Sequence, residues 1–211
     1  KHAEGFNLNK SIDDMDVLLD VFKSKEYPHA FDGDLYFLNN YSPAKVGGWE
    51  LNKDTKEWES DGELYPTVEH AYQASCFDDP KIRKEIRETK FAGVGGKGQP
   101  LGARGLAKEY QRRGTKTVVD KRPDKDEAPN SPVVQLMEKL VTEKFNIPEL
   151  RKKLEATYQT HPDDHHNDGK GLEEANNHGD AFWGTIHPEG KVGGRGQNHL
   201  GKILSRVRAG G

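Results

Sequence analysis

The chain has a single cysteine, Cys76, among its 211 residues. One thiol cannot form an internal disulfide, which excludes a disulfide-stabilised scaffold and favours a reducing compartment. Zinc sites built on several thiolates are excluded for the same reason. Cys76 falls on the apolar side of a predicted helix, where packing is a more common role than nucleophilic catalysis.

The chain also lacks long hydrophobic runs. No stretch approaches the roughly 18 apolar residues that a membrane span requires, and the first thirty residues lack the basic start and apolar segment of a signal peptide. We therefore expect an intracellular protein, cytoplasmic or nuclear, with no membrane partner. Because the chain starts at Lys1 and not at methionine, we also expect a domain excised from a longer protein or a product of tag cleavage.

The composition is poor in apolar residues and uneven in charge. Hydrophobic residues make up 32% of the chain, at the low edge of globular proteins, and 23 glycines indicate long polar loops around the core. The formal net charge is -3, yet residues 81–122 hold 13 Lys and Arg against 4 Asp and Glu. Such a basic segment is typical of a phosphate-facing surface, although solvated helix faces explain it equally well.

Helical periodicity dominates the sequence, and strand patterns are few and short. Predicted helices lie near residues 12–24, 66–77, 80–91, 106–110, 132–145, 148–154 and 197–208. Predicted strands lie at 35–38 and 172–176, with a hairpin around 52–55. Since strands and helices do not alternate, we expect an α+β fold. It comprises a helical extension over 1–30 and a mainly helical single domain over 31–208, with surface insertions at 119–132 and 160–170.

The most informative predicted helix contains Glu69 in its first turn. At 100° per residue Glu69 lies on the shoulder of a buried stripe formed by Val68, Ala71, Tyr72, Ser75 and Cys76. A helix N-terminus favours the ionised carboxylate, while partial burial acts in the opposite direction. That combination suits the stabilisation of a nearby positive charge. Ordinary compensation of the helix dipole is a common alternative.

Two glycine-rich segments read almost alike, VGGKGQ at 94–99 and VGGRGQ at 192–197. Each offers backbone N–H groups beside one cation, Lys97 or Arg195, and could hold a phosphate. Neither has the spacing of a Walker loop or of a Rossmann fingerprint, which excludes those nucleotide-binding classes. Flexible loops are an equally good interpretation of each segment.

The segment from Asp180 to Gly184 places an acid beside two large aromatic side chains. An aromatic face can stack on a nucleobase, and a neighbouring carboxylate can hold a ribose hydroxyl or activate water. A buried Trp183 with a capping Asp180 is the simpler alternative. The His and Asp residues of 160–170 have no helical ligand spacing and no cysteine, so we predict a solvated loop there and no metal site.

Four segments together resemble the NADAR (NAD and ADP-ribose associated, YbiA-like) family in order and spacing. They are 37–43 (FLNNYSP), 65–74 (YPTVEHAYQA), 180–184 (DAFWG) and 196–202 (GQNHLGK). The second is the most specific, and the resemblance covers about Phe31 to Arg208. It implies hydrolysis of an N-glycosidic bond with no metal and no other cofactor.

Members of this family act on ribosylated intermediates of riboflavin synthesis or remove ADP-ribose from guanine bases, including those in DNA. The resemblance therefore implies an ADP-ribosylglycohydrolase that frees guanine from ADP-ribose, in DNA or a nucleotide. The basic segment and the charged insertion favour ADP-ribosylated DNA as the partner, and we expect a monomer. The alternatives are an N-glycosidase of riboflavin-pathway intermediates and an ADP-ribose-binding module without turnover.

The resemblance also implies the site residues, with Glu69 and Asp180 as the catalytic carboxylates. The implied substrate-binding residues are Asn40, Tyr72, Gln73, Lys97, Gly98, Gly102, Arg104, Trp183, Gly184, Arg195, Gly196, Gln197 and Asn198. The chain departs from the family pattern at Asn39, at Ser131 and Pro132, and at Arg104, and these departures concern the leaving-group pocket. Cleavage builds oxocarbenium character on ribose, so one carboxylate can stabilise charge while a second manages protons.

Overall fold

The computed structural model describes residues 33–95, 100–124, 128–160, 172, 174–176, 180–186 and 195–210. The predictions of a helix over 12–24, of Lys97 and Gly98 as ligands and of a solvated loop at 160–170, apart from Thr160, lie outside these residues. Within the described part of the chain, no helix has both the length and the apolar character that crossing a membrane requires.

The described residues form an α+β fold, as predicted, with helices and two small sheets. The helices are α1 (Val68–Ser75), α2 (Pro80–Arg87), α3 (Ala103–Arg112), α4 (Pro132–Lys144), α5 (Pro148–Thr160) and α6 (His199–Arg208). The strands are β1 (Pro43–Leu51), β2 (Trp58–Thr67), β3 (Ala175–Asn176), β4 (Thr185–Ile186) and β5 (Arg195–Gly196). Short 3-10 helices cover Gly33–Leu38 and Ala128–Asn130.

The chain divides into two compact units, and the first holds the described residues of Asn40–Lys121 and Ser131–Leu140. Its β1 and β2 form the predicted antiparallel hairpin, in which Leu51 pairs with Trp58. The hairpin and helices α2 and α3 surround α1. All eight residues of α1 are buried, so this helix forms the centre of the unit.

A buried ion pair joins the hairpin to α2. The Arg83 guanidinium donates to the carboxylate of Asp61 and, over 2.9 Å, to the carbonyl oxygen of Trp49. The Tyr65 hydroxyl donates to the same carboxylate over 2.9 Å. Burial, followed by the charge of Asp61, raises the pKa of Tyr65 to about 12. The network fixes β2 as it leads into α1.

The second unit holds the described residues of 33–39, Arg122–Asn130 and Val141–Gly211. Helices α5 and α6 pack together, and Arg208 donates to the Thr157 hydroxyl over 2.7 Å. The rings of Phe37 and Phe145 meet edge to face at 6.3 Å. In the second sheet β3 and β4 are parallel, and β4 and β5 are antiparallel.

The structure corrects several local predictions, including the helix of 80–91, which ends at Arg87, and the strand of 172–176, which is observed at Ala175–Asn176. Residues 35–38 form part of a 3-10 helix and not a strand, because the Asn39 amide closes a tight turn on the carbonyl of Tyr36 at 2.9 Å. The helix predicted from 66 begins at Val68, since Thr67 still belongs to β2 and caps the helix. The last helix begins at His199, because Asn198 adopts a left-handed conformation with φ 48°.

Candidate active site

Glu69 lies in the first turn of α1 and is 6% exposed. The helix starts there because the Thr67 hydroxyl accepts from the backbone N–H of His70 at 3.2 Å, which is the usual function of an N-cap. The backbone N–H of Glu69 donates to the carbonyl of Asn40 over 3.0 Å. One turn later, Gln73 donates from Nε2 to Oε1 of Glu69 over 2.9 Å. The predicted burial of this carboxylate is therefore observed, with defined partners.

Lys121 extends this arrangement, and the sequence did not indicate it. Its Nζ donates to Oε1 of Gln73 over 2.7 Å and lies 5.6 Å from the centroid of the Tyr72 ring. The chain reaches this point because the backbone N–H of Val118 donates to the carbonyl of Cys76 over 2.9 Å. A carboxylate, an amide and an ammonium group thus follow one another along α1.

Asn40 supports the start of α1 from the preceding turn. Its side chain is 8% exposed and donates from Nδ2 to the sulfur of Met137 over 3.4 Å. Its Oδ1 is buried and has no hydrogen-bond partner among the described residues. Since a buried amide oxygen without a partner is costly, this atom is suited to accept from a ligand.

His70, next to Glu69, is a structural residue. Its Nδ1 faces the Thr67 hydroxyl at 2.8 Å, and its Nε2 faces the carbonyl of Thr89 at 3.2 Å. Since a carbonyl can only accept, the Nε2 atom carries the proton. Burial lowers the pKa of His70 to about 4. The ring is therefore neutral at physiological pH and supplies no acid there.

Gly102 and Arg104 lie at the start of α3, where the backbone packs closely on the preceding loop. The N–H groups of Ala103 and Arg104 donate to the carbonyls of Phe91 and Ala92 at 2.9 and 3.0 Å. A Cβ on Gly102 would lie 2.4 Å from the carbonyl oxygen of Gly93, so only glycine fits. The Arg104 guanidinium donates to the Tyr41 hydroxyl over 2.9 Å.

Asp180, in the second unit, folds the segment that contains Trp183. Its Oδ1 accepts from the backbone N–H groups of Phe182 and Trp183 at 3.1 and 3.0 Å, and its Oδ2 accepts from Arg122 at 3.3 Å. Trp183 is 8% exposed and meets Phe182 edge to face at 4.9 Å. These contacts match the simpler interpretation of the motif, a buried tryptophan with a capping aspartate.

The predicted ligands of 195–198 surround the start of α6. The amide of Asn198 is used at both ends, since it accepts from the Glu174 N–H at 3.0 Å and donates to the Leu172 carbonyl at 2.9 Å. The backbone N–H of Asn198 donates to the carbonyl of Gly184 at 3.3 Å. A Cβ on Gly196 would lie 2.3 Å from that same carbonyl oxygen. Asn198 and Gly196 therefore have structural roles here.

The remaining two residues of this segment are more open. Arg195 is exposed, and Gln197 is half-buried with its Oε1 2.9 Å from Nε2 of His199.

The structure divides the predicted site residues between two units. The first contains Asn40, Glu69, Tyr72, Gln73, Gly102 and Arg104, and the second contains Asp180, Trp183, Gly184, Arg195, Gly196, Gln197 and Asn198.

Several cations of the basic segment have carboxylate partners. Arg112 and Arg113 both donate to Glu109, over 2.7 Å in each pair. Their hydrogen bonds lower the pKa of Glu109 to about 2. Arg87 pairs with Glu63 in the same way. Glu109 is one of the 4 acidic residues already counted in 81–122, whereas Glu63 lies outside that segment and offsets part of its excess positive charge.

Among the described residues, no group of three or more His, Cys, Asp or Glu side chains is placed to hold a metal ion. Asp180 and Glu69 have the polar partners given above, and the His and Asp residues of 161–170 lie outside the described part of the chain.

Comparison with known proteins finds similarity both in sequence and in structure, although no protein-family model matches the chain. In sequence it is similar to the riboflavin biosynthesis protein VVA0006 of Vibrio vulnificus (strain YJ016), with 28% identity over 195 residues. That match covers 92% of this chain and 40% of the relative. In structure it is similar to the NMR structure of the E. coli protein YbiA, with a TM-score of 0.50 and 27% identity over 84% of this chain and 78% of that one.

Proposed function

We propose that this chain, which is similar in sequence to the riboflavin biosynthesis protein VVA0006 and in structure to YbiA, is a NADAR-type N-glycosidase that hydrolyses the bond between C1′ of a ribose and a base nitrogen. Proteins of this type are generally associated with glycosidase activity. The observation that supports the proposal is the buried Glu69 carboxylate, which accepts from Gln73 in the first turn of α1.

The chemistry requires a negative charge beside the sugar. As the C1′–N bond breaks, its electron pair leaves with the base and the ribose gains oxocarbenium character. A fixed carboxylate in a site with little water stabilises that charge more strongly than solvent does. Water then adds its oxygen to C1′, and its proton balances the charge on the departing nitrogen. Glu69 takes the electrostatic role in this scheme.

For the substrate we propose an ADP-ribosylated guanine, in DNA or in a nucleotide. The support is the resemblance of the motifs and the exposed side chain of Arg195, a cation of the kind that binds phosphate. Asp180 is proposed as the second carboxylate, although its present contacts use it as an acceptor within its own turn.

A ribosylated riboflavin-pathway intermediate is the second candidate. It is favoured by the name of the curated relative, a riboflavin biosynthesis protein, of whose length this chain spans 40%. It is also favoured by the pairing of Arg112 and Arg113 with Glu109, since a small substrate needs no broad basic surface.

The test is to incubate the protein with guanine-ADP-ribosylated DNA and, separately, with ribosylated riboflavin intermediates, and to measure released base. We expect Glu69→Gln to lower turnover at least about a hundredfold, the scale of one lost electrostatic contribution, with an unchanged circular dichroism spectrum. Glu149→Gln is the matched control, because Glu149 also lies in the first turn of a helix but is exposed. Wild-type rates in folded Glu69→Gln would refute the role of Glu69, and ADP-ribose binding without turnover of either substrate would indicate a binding module.

A further inference from the structure

We propose that Lys121 is a positioning residue, which fixes the side-chain amide of Gln73 so that its NH2 group faces Glu69. The proposal rests on the proposed function for its catalytic consequence. It concerns a residue that lies within a predicted surface insertion, 48 positions from Gln73 in sequence. The two contacts that support it are the 2.7 Å hydrogen bond from Lys121 to Gln73 and the 2.9 Å hydrogen bond from Gln73 to Glu69.

The direction of these hydrogen bonds follows from the groups themselves. A lysine ammonium group has three donors and no acceptor, so only the oxygen of the Gln73 amide can face it. The NH2 group then lies on the other side of the planar amide, toward Glu69. The reversed amide would place its NH2 group against the ammonium and its oxygen against the carboxylate, which opposes like charges at both ends. Lys121 thus selects one of two amide orientations.

The position of Lys121 is itself restrained. Its Nζ lies 5.6 Å from the Tyr72 ring centroid and 5.7 Å from that of Phe77, distances at which a cation is attracted to an aromatic face. The backbone bond from Val118 to Cys76 holds the segment beside α1. The Lys121 ammonium group therefore has a defined location. It is half-buried, so solvent screens its electrostatic interactions less than those of an exposed lysine.

Nearby titratable groups do not replace this charge. Burial raises the pKa of the Cys76 thiol, and burial lowers the pKa of His70 to about 4. Both side chains are therefore neutral near pH 7, and Tyr72 carries a phenol. Neither side chain therefore supplies a positive charge in place of the Lys121 ammonium group. Losing the Lys121 charge should make Glu69 easier to protonate.

The kinetic test compares Lys121→Met with Lys121→Arg. We expect Lys121→Met to lower kcat about tenfold at neutral pH and to move the acid limb of the kcat/KM profile upward by roughly half to one pH unit. Lys121→Arg keeps a donor-only cation and should restore kcat to within about threefold, with the acid limb unshifted. Lys139→Met is the matched control, because Lys139 also lies over an aromatic ring, 4.6 Å from that of Trp49, but outside the site.

A second measurement does not depend on turnover. The side-chain NH2 signals of Gln73, assigned by their loss in Gln73→Leu, report the hydrogen bond to Glu69 by NMR. We expect them to be protected from exchange in the wild-type protein and in Lys121→Arg, and to lose at least about tenfold of that protection in Lys121→Met.

The two measurements separate this proposal from the proposed function. If the wild-type protein hydrolyses neither substrate, the proposed function fails, and the Gln73 signals alone decide whether Lys121 orients the amide. If Lys121→Met matches Lys139→Met in both the Gln73 signals and the pH profile, the positioning role is overturned. The same conclusion follows if Lys121→Arg loses as much kcat as Lys121→Met.

Discussion

Replacing the buried Lys144 with methionine should change how the stability of the protein depends on pH. Lys144 lies at the end of α4 and is 0% exposed, with its Nζ donating to the carbonyl oxygen of Asn39 over 2.8 Å. Burial lowers the pKa of Lys144 to about 7. In the unfolded chain a lysine has a pKa of about 10.4. Between about pH 7 and pH 10.4, folding therefore releases the proton of the Lys144 ammonium group.

The sign and size of the effect follow from proton linkage. Between about pH 7 and pH 10 the unfolded state binds more protons at Lys144, so the free energy of unfolding rises with pH in this window. Below pH 7 both states are protonated and the effect disappears. From pH 7 to pH 9 Lys144 goes from about half to almost wholly neutral in the folded protein, while it stays protonated in the unfolded chain. This difference adds about 2 kcal/mol to the free energy of unfolding. Methionine has no proton to release, so the Lys144→Met variant should lack this increase.

The assay is urea unfolding of both proteins at pH 7 and pH 9. The free energy of unfolding of the wild-type protein should gain about 2 kcal/mol relative to Lys144→Met over that interval. Lys139→Met serves as the control, since Lys139 is exposed and should show no such difference. If the wild-type protein and Lys144→Met change by the same amount, within about 0.5 kcal/mol, the reasoning from burial is wrong.

Three further outcomes are expected. Asp180→Asn keeps a side-chain oxygen that can accept from the turn, so the melting temperature should change by less than about 3 °C. Turnover should fall at least about tenfold, and unchanged turnover would show that Asp180 takes no part in the chemistry. Replacing Arg112 and Arg113 with Ala should flatten the salt dependence of DNA binding by less than about one unit, because both already have a carboxylate partner. A larger change would identify them as phosphate contacts. EDTA should alter neither activity nor melting temperature, and a loss restored by one divalent ion would reveal a metal site.

Local sequence signals determined most of the helices. Thr67, Asp79 and Pro132 stand where helices begin, because capping and the fixed φ of proline act within a few residues. The hairpin around 52–55 and the burial of Glu69 were predictable for the same reason, since turn chemistry and helical periodicity are local properties. Lys144 follows Leu140 by four residues, so the periodicity of α4 also held a signal for its burial.

The tertiary structure decided which polar side chains form hydrogen bonds with one another and with the backbone. No local pattern distinguishes Lys121 from the other lysines of its charged segment, because its bond to Gln73 depends on the path of the chain over 48 positions. Asn198 is predicted from the sequence as a substrate ligand, yet its amide oxygen accepts from the backbone N–H of Glu174, 24 positions away, which only the folded chain brings near it. Buried backbone and side-chain donors and acceptors need hydrogen-bond partners. Which of them are buried near a given polar side chain depends on the whole fold.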